Sequence, residues 1–319
     1  MMVWLLAGLG LVILLLAGDI LVRGAVNMSL RLGVPALIVS LTIVAFGTSA
    51  PELLISIKAV LDHAPGIALG NVVGSNTANI LIVLGLPAIM AKMHTSQCDS
   101  RKTYVYMLLS TLLFISLAYR GVFDLLAGGI LLAALGLMLW DQMREAARHR
   151  RQGKEAADEA LLEGLEEADP NMPWWRIGVY LVLGLVGLPL GAGLLVDNAT
   201  IIAHTYGVSD TVIGLTLVAV GTSLPELATT IMAALRKQAD VALGNVIGSN
   251  MFNLLGIIGV ATLFGPISVD PQFLHFDLWV MLAASLLMIP FVFLRFDLTR
   301  LWGIVLCALY GVYVVSILA

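Results

Sequence analysis

Two glutamates, Glu52 and Glu226, sit inside long apolar stretches, and each follows a Gly-Thr-Ser-x-Pro run. Thr48 and Ser49 precede Glu52 by four and three residues, as Thr222 and Ser223 precede Glu226, so on a helix each trio shares one face. A second pair of polar stripes, Asn71, Ser75 and Asn79 and then Asn245, Ser249 and Asn253, repeats at intervals of four. Pro51 and Pro225 lack an N–H, so the carbonyls near Gly47 and Gly221 lose their helical partners. The donors assembled this way are all oxygens. Calcium takes about six to eight oxygens in flexible geometry, whereas magnesium demands a near-ideal octahedron. Sodium also prefers hard oxygens, and zinc and copper favour the imidazole and thiolate groups that these stripes lack. A charged carboxylate at the centre of a membrane helix costs on the order of 3 kcal/mol, and no Lys or Arg lies near the same depth to offset it. Both glutamates therefore read as cation ligands. Two carboxylates balance one calcium or two sodium ions; a third sodium would leave a surplus charge that feels the membrane potential.

These motifs belong to an internal repeat. Residues 45–79 (AFGTSAPELLISIKAVLDHAPGIALGNVVGSNTAN) align without a gap to residues 219–253 (AVGTSLPELATTIMAALRKQADVALGNVIGSNMFN), 174 positions on. Of 35 positions, 19 are identical, and they include the Gly, Thr, Ser, Pro, Glu and Asn residues rather than only Leu, Val and Ala. Polar identity inside apolar helices is expensive to keep by accident.

The elements that must position these residues are membrane helices. The 319-residue chain is 60% hydrophobic and 12% charged, far below the roughly 25% charged residues of a soluble domain. The pattern predicts ten spans, at 3–21, 34–60, 66–91, 104–119, 122–141, 176–197, 208–235, 241–264, 276–294 and 299–318, each near the ~20 residues a bilayer requires. The fold class is an all-α membrane protein of ten transmembrane helices in two inverted five-helix repeats. Five spans separate equivalent positions, and an odd number makes the two copies cross in opposite directions, as in secondary transporters with a midplane site. The expected organisation is a first repeat at 1–141, a connecting loop at 142–175 and a second repeat at 176–319. No Lys or Arg precedes the first apolar run, which suits a transmembrane helix rather than a cleaved signal. With both termini outside, 15 of the 17 Lys and Arg residues fall on the inner side and only Lys58 and Arg120 on the outer. The 142–175 loop is then cytoplasmic; it begins basic, turns acidic, and lacks the ligand spacing of an EF-hand. Cys98 and Cys307 stand alone, the histidines are scattered, no nucleic-acid surface is evident, and no resident cofactor is expected. Gly70, Gly74, Gly244 and Gly248 are expected to allow close helix packing.

The paired GTSAPE/GNVVGSNTAN and GTSLPE/GNVIGSNMFN motifs resemble the alpha-repeats of the cation/calcium exchanger superfamily, above all the prokaryotic sodium/calcium exchangers. The resemblance covers nearly the whole chain. It implies that Glu52 and Glu226 are acidic ligands shared by calcium and sodium, with Thr48, Ser49, Thr222 and Ser223 beside them. Ala45 and Ala219 match positions that offer backbone carbonyls to sodium, and Ser75, Asn79, Ser249 and Asn253 match ligands on the partner helices. It also implies alternating access, with spans one and six sliding across a more fixed core. Some relatives, the potassium-dependent ones among them, carry Asp where this chain has Asn253, so the site here has two carboxylates only.

The reading is a sodium/calcium antiporter in a lipid bilayer, with Ca2+ and Na+ as substrates and a prokaryotic inner membrane as its place. The alternatives are a proton/calcium antiporter of the same fold and, in a different class, a cation channel. An enzyme is not expected: Ser49 and Ser223 have no His in their repeats, and no protease-type motif occurs.

Overall fold

The computed structural model of the protein describes residues 2–152, 169, 171–207, 219–271 and 273–318. The acidic half of the connecting loop and the start of span seven, 208–218, lie outside the described residues. The chain is all-α. Its helices are α1 (Met2–Leu32), α2 (Ala36–Thr48), α3 (Ala50–Leu61), α4 (Pro65–Met90), α5 (Arg101–Ala118), α6 (Leu125–Gln152), α7 (Trp174–Thr205), α8 (Ala219–Thr222), α9 (Leu224–Leu235), α10 (Ala239–Ala261), α11 (Phe273–Val292) and α12 (Arg300–Leu318). Seven of these are long and apolar enough to cross a bilayer alone, and α2 with α3 forms an eighth span bent by 43°. α5 and the α8–α9 pair stand where the sequence pattern predicts the other two spans. α10 and α4 form the centre, with 94% and 78% of their apolar windows buried, and α12 lies at the rim with 17%.

Several helices run past the expected limits. α1 continues from 21 to Leu32 and α7 from 197 to Thr205. The polar residues at and beyond the 3–21 limit are tied down within the helix: Asp19 accepts from Arg23 at 3.0 Å and from Arg236, and Asn27 donates to the Arg23 carbonyl at 2.8 Å. α6 begins after a two-residue strand β1 (Val122–Phe123) and extends through Gln152. β1 pairs antiparallel with β2 (Ile267–Ser268), Val122 opposite Ser268 and Phe123 opposite Ile267.

The repeat extends over the whole fold at the same spacing of 174. α3 and α9 have limits 174 residues apart at both ends. The six positive-φ residues among those described fall into three such pairs: Gly33 and Gly207, His63 and Lys237, and Gly121 and Arg295. Gly33 and Gly207 close α1 and α7 in the left-handed turn that favours glycine after a helix end. β2 has a related contact: the bridge Met93↔Leu298 stands at the positions corresponding to 267 and 124. Beside that bridge, Asp297 binds Ser96, Lys92 and His94. Burial would raise its carboxyl, but these donors hold it well below the usual carboxylate range.

The two copies are inverted, and the α1–α7 contact demonstrates it residue by residue. The helices run antiparallel with glycines at the crossing. A Cβ on Gly10 would lie 2.6 Å from the Leu195 nitrogen and 2.9 Å from the Gly191 oxygen. A Cβ on Gly184, the counterpart of Gly10, would lie 2.6 Å from the Leu21 Cβ and 3.1 Å from the Ala17 oxygen, and Ala17 and Leu21 are the counterparts of Gly191 and Leu195. Residue i meets j while the mate of i meets the mate of j, which is the signature of a two-fold axis.

Gly244 and Gly248 serve the close packing expected of them: their Cα positions press α10 onto the Leu37 and Leu41 carbonyls of α2. The corresponding partners of Gly70 and Gly74 would be residues 211 and 215, outside the described residues.

Candidate functional site

The chain breaks its helical course at Ser49 and Ser223 with the same backbone turn, φ −85°, ψ 6° and φ −86°, ψ 5°. Each serine precedes a new helix whose second residue is proline and whose third is the glutamate. Pro51 and Pro225 are tolerated because a first-turn N–H needs no helical partner. The glutamates thus stand in first turns, where exposed N–H groups favour a negative charge. The preceding segments end there, and helix C-terminal carbonyls favour cations. Ser-x-x-Glu is also the sequence sign of a helix start, a signal available in both motifs.

Glu52 and Glu226 are 0% exposed. Thr48, Ser49, Ser75, Asn79, Ser223, Ser249 and Asn253 are buried with them, and Thr222 is half-buried. The structure brings Ser49 and Ser249 to one oxygen of Glu226, at 2.9 and 3.4 Å. Thr48 lies between the repeats, 3.4 Å from Asn245 Oδ1 and 3.5 Å from Ser249 Oγ. The Ala45 carbonyl accepts from the Ser49 N–H at 3.1 Å and the Thr48 hydroxyl at 3.2 Å. Ala219 opens α8; its side chain is outside the described part. Asn79 begins a π-helical stretch, Asn79–Val83, and Asn253 lies in the matching one, Phe252–Ile257. Such π turns interrupt the ordinary backbone ladder and recur at functional sites.

Four asparagines hold this frame: Asn71 and Asn245 head the polar stripes seen in the sequence, whereas Asn76 and Asn250 are marked there only by their identity in the repeat. Asn71 donates to the Glu52 carbonyl and to Ser56, both at 3.0 Å. Its counterpart Asn245 does the same to Glu226 at 3.3 Å and Thr230 at 3.2 Å. Asn76 and Asn250 donate to each other's backbone carbonyls, at 3.2 and 3.3 Å, and so cross-link α4 and α10.

Buried polar atoms are nearly always hydrogen-bonded. Among the described residues, eleven buried side-chain polar atoms have no protein partner, and eight lie here: both oxygens of Glu52, Oε2 of Glu226, Ser223 Oγ, the Oδ1 atoms of Asn76 and Asn79, and both amide atoms of Asn253. Most are oxygens from acidic, hydroxyl and amide groups, the donor set of a hard cation.

The two halves differ in packing. α1 lies along α9, with Gly18 against the Ala228 backbone and Ala228 and Thr229 at 1% and 0% exposure. α7 barely touches α3, and the counterparts Leu54 and Ile55 are 68% and 37% exposed. One flank of the site is shut and its mate is splayed.

The sodium/calcium exchanger protein family matches residues 2–143 and 177–319. The chain belongs to that family. The exchanger is 33% identical to the sodium/calcium exchanger MaX1 of Methanosarcina acetivorans, over 96% of each chain. It is 34% identical to the inner membrane protein YrbG of Escherichia coli, over 87% of this chain and 85% of that one. Among solved structures it resembles the sodium-calcium exchanger NCX_Mj soaked with 2.5 mM Na+ and 0.1 mM Ca2+, with a TM-score of 0.80 and 33% identity over 97% and 96% of the two chains. The exchanger is therefore an integral membrane antiporter of the cation/calcium class and not an enzyme.

Proposed function

We propose that the exchanger couples Na+ to Ca2+ at one mid-membrane site by alternating access. The observation that carries this reading is the concentration of partnerless buried oxygens around Glu52 and Glu226. The site residues are Glu52, Glu226, Thr48, Ser49, Thr222, Ser223, Ser75, Asn79, Ser249 and Asn253, with the Ala45 and Ala219 carbonyls. The two carboxylates match the charge of one calcium, or of two sodium ions competing for the same oxygens. The transport unit is the pair of repeats 1–141 and 176–319, joined by a cytoplasmic 142–175 segment, in a prokaryotic inner membrane with both termini outside. In that orientation the closed α1–α9 flank faces the cytoplasm and the splayed α3–α7 flank faces outward, so the molecule is in an outward-facing form. The glycine-lined α1–α7 pair moves as the sliding unit, and its loose contact with α3 supports that role.

The test is calcium-45 uptake into proteoliposomes loaded with sodium and diluted into sodium-free buffer, with potassium-loaded vesicles as control and a proton gradient applied separately. Uptake that requires internal sodium is expected, with loss of more than about 100-fold in Glu52→Gln or Glu226→Gln because a carboxylate ligand to calcium is removed. Uptake driven by protons alone would overturn sodium coupling. Normal exchange in either glutamate variant would overturn the site, and unitary currents in a planar bilayer would indicate a channel.

A further inference from the structure

Asn76 and Asn250 are repeat counterparts, both 1% exposed, and their hydrogen bonds have a forced direction. A backbone carbonyl only accepts, so Asn250 must turn its NH2 group to the Asn76 oxygen, 3.3 Å away. The same NH2 also meets the Met107 sulfur at 3.8 Å. The remaining amide atom of Asn250 is Oδ1, which only accepts. Asn79 meets it at 3.0 Å and must do so through its own NH2. The Asn79 oxygen is thereby turned away from Asn250, buried and without a protein partner.

We infer that Asn250 is a positioning residue of the transport site: through this one-way relay it fixes the Asn79 amide so that Asn79 presents oxygen, not N–H, to a bound cation. The inference rests on the site proposed above. Orientation matters because the two ends of an amide have opposite polarity, and an N–H turned to a cation repels it. The mirror relay would run from Asn76 Oδ1 to the Asn253 NH2. In this conformation it is open, since Asn76 Oδ1 and both amide atoms of Asn253 have no partner. The relay is thus closed for one half of the site only, and the Asn253 amide is held by no protein hydrogen bond.

The experiment is a double-mutant cycle between positions 250 and 79. Calcium chloride is titrated calorimetrically into the purified full chain, and half-saturating sodium is measured in exchange, in four proteins: the parent, Asn250→Ala, Asn79→Asp and the double variant. In the Asn79 background, loss of Asn250 should raise the calcium Kd or the half-saturating sodium about five- to tenfold, the effect of losing one orienting hydrogen bond. A carboxylate offers oxygen whichever way it turns, so in the Asn79→Asp background the same change should shift both values by less than about twofold. Asn250→Leu, which keeps the branched shape without the amide, is run in parallel, with elution as a single detergent-solubilised species as the folding check. Equal effects in the two backgrounds, or none in either, would overturn the inference and leave Asn250 as packing alone. Glu52→Gln measured alongside separates the two levels: if it binds calcium normally, the site itself is wrong, whereas its failure with background-independent Asn250 effects condemns only the relay.

Discussion

The Ser49 hydroxyl donates to Glu226 Oε1 across 2.9 Å, from one repeat to the other, while its counterpart Ser223 makes no bond to Glu52. The asymmetry has the same sense as the closed α1–α9 flank and the splayed α3–α7 flank. In a protein built on an inverted two-fold, the opposite conformation exchanges these roles. Ser49→Ala should therefore weaken calcium binding from the outer side about five- to tenfold and less from the inner side, and Ser223→Ala should do the reverse. Calcium-45 uptake in right-side-out and inside-out vesicles separates the two. Equal losses on both sides for each variant would contradict the exchange of roles.

Asp19 of α1 holds the closed flank by accepting from Arg236 at the end of α9 and from Arg23 at 3.0 Å. The pair is partly buried, with Asp19 and Arg236 side chains 16% and 23% exposed. The mates of Asp19, Arg23 and Arg236 are Gly193, Asp197 and Asp62, which form no such bridge because none is basic. The ion bridge thus stabilises one conformation and not its mirror image. Arg236→Gln should shift the equilibrium toward the other conformation by about 1–2 kcal/mol, or about five- to thirtyfold. Hydrogen–deuterium exchange on residues 19–32 of α1 should rise accordingly. Unchanged protection there would mean that apolar packing alone keeps the flank shut.

The motifs made the centre of this molecule readable and left its periphery obscure for a physical reason. Around Glu52 and Glu226 the same polar residue types recur at the same spacing inside apolar stretches, so the repeat stands out over 45–79 and 219–253. The outer helices need only be apolar, and their letters have drifted apart. What persists there is backbone geometry: His63 and Lys237 share a positive φ, as do Gly121 and Arg295, with no residue identity to betray it. The length of α1 was hidden for another reason. Asp19, Arg23 and Asn27 look like the end of a membrane helix; bonds one turn apart along α1 and the tertiary partners Arg236, on Asp19, and the Asp169 N–H, on Asn27, make them compatible with its interior. The asparagine frame was visible as repeated letters, but its hydrogen-bond directions depend on contacts between α4 and α10.

The α1–α7 crossing allows no side chain at its glycines. A Cβ at Gly10 or Gly184 would meet the opposing helix at 2.6 Å, whereas one at Gly193 has nothing within 4 Å. Gly10→Leu and Gly184→Leu should each destabilise the fold by about 1–3 kcal/mol or more through overpacking. Gly193→Ala, on the same helix, should be close to neutral. Thermal unfolding in detergent checks this, and an unshifted midpoint in Gly10→Leu would mean that the helices separate without cost.

Asn253 stands where some relatives carry aspartate, and neither of its amide atoms has a protein partner. Asn253→Asp would add a third carboxylate to the proposed site, in which Asn253, Glu52 and Glu226 are all fully buried. Three carboxylates exceed the charge of one calcium, and like charges at close range are not all retained without a further cation. The third group would then take a proton or an additional monovalent ion along with calcium. Calcium exchange by the variant should fall more steeply than that of the parent as pH drops from about 8 to 6, because protonation removes the ligand that the substitution added. It should also respond to added potassium or sodium in the calcium-loaded state. Exchange rates measured across that pH range, with and without potassium, decide the matter: profiles that superimpose on those of the parent would place residue 253 away from the transported ions.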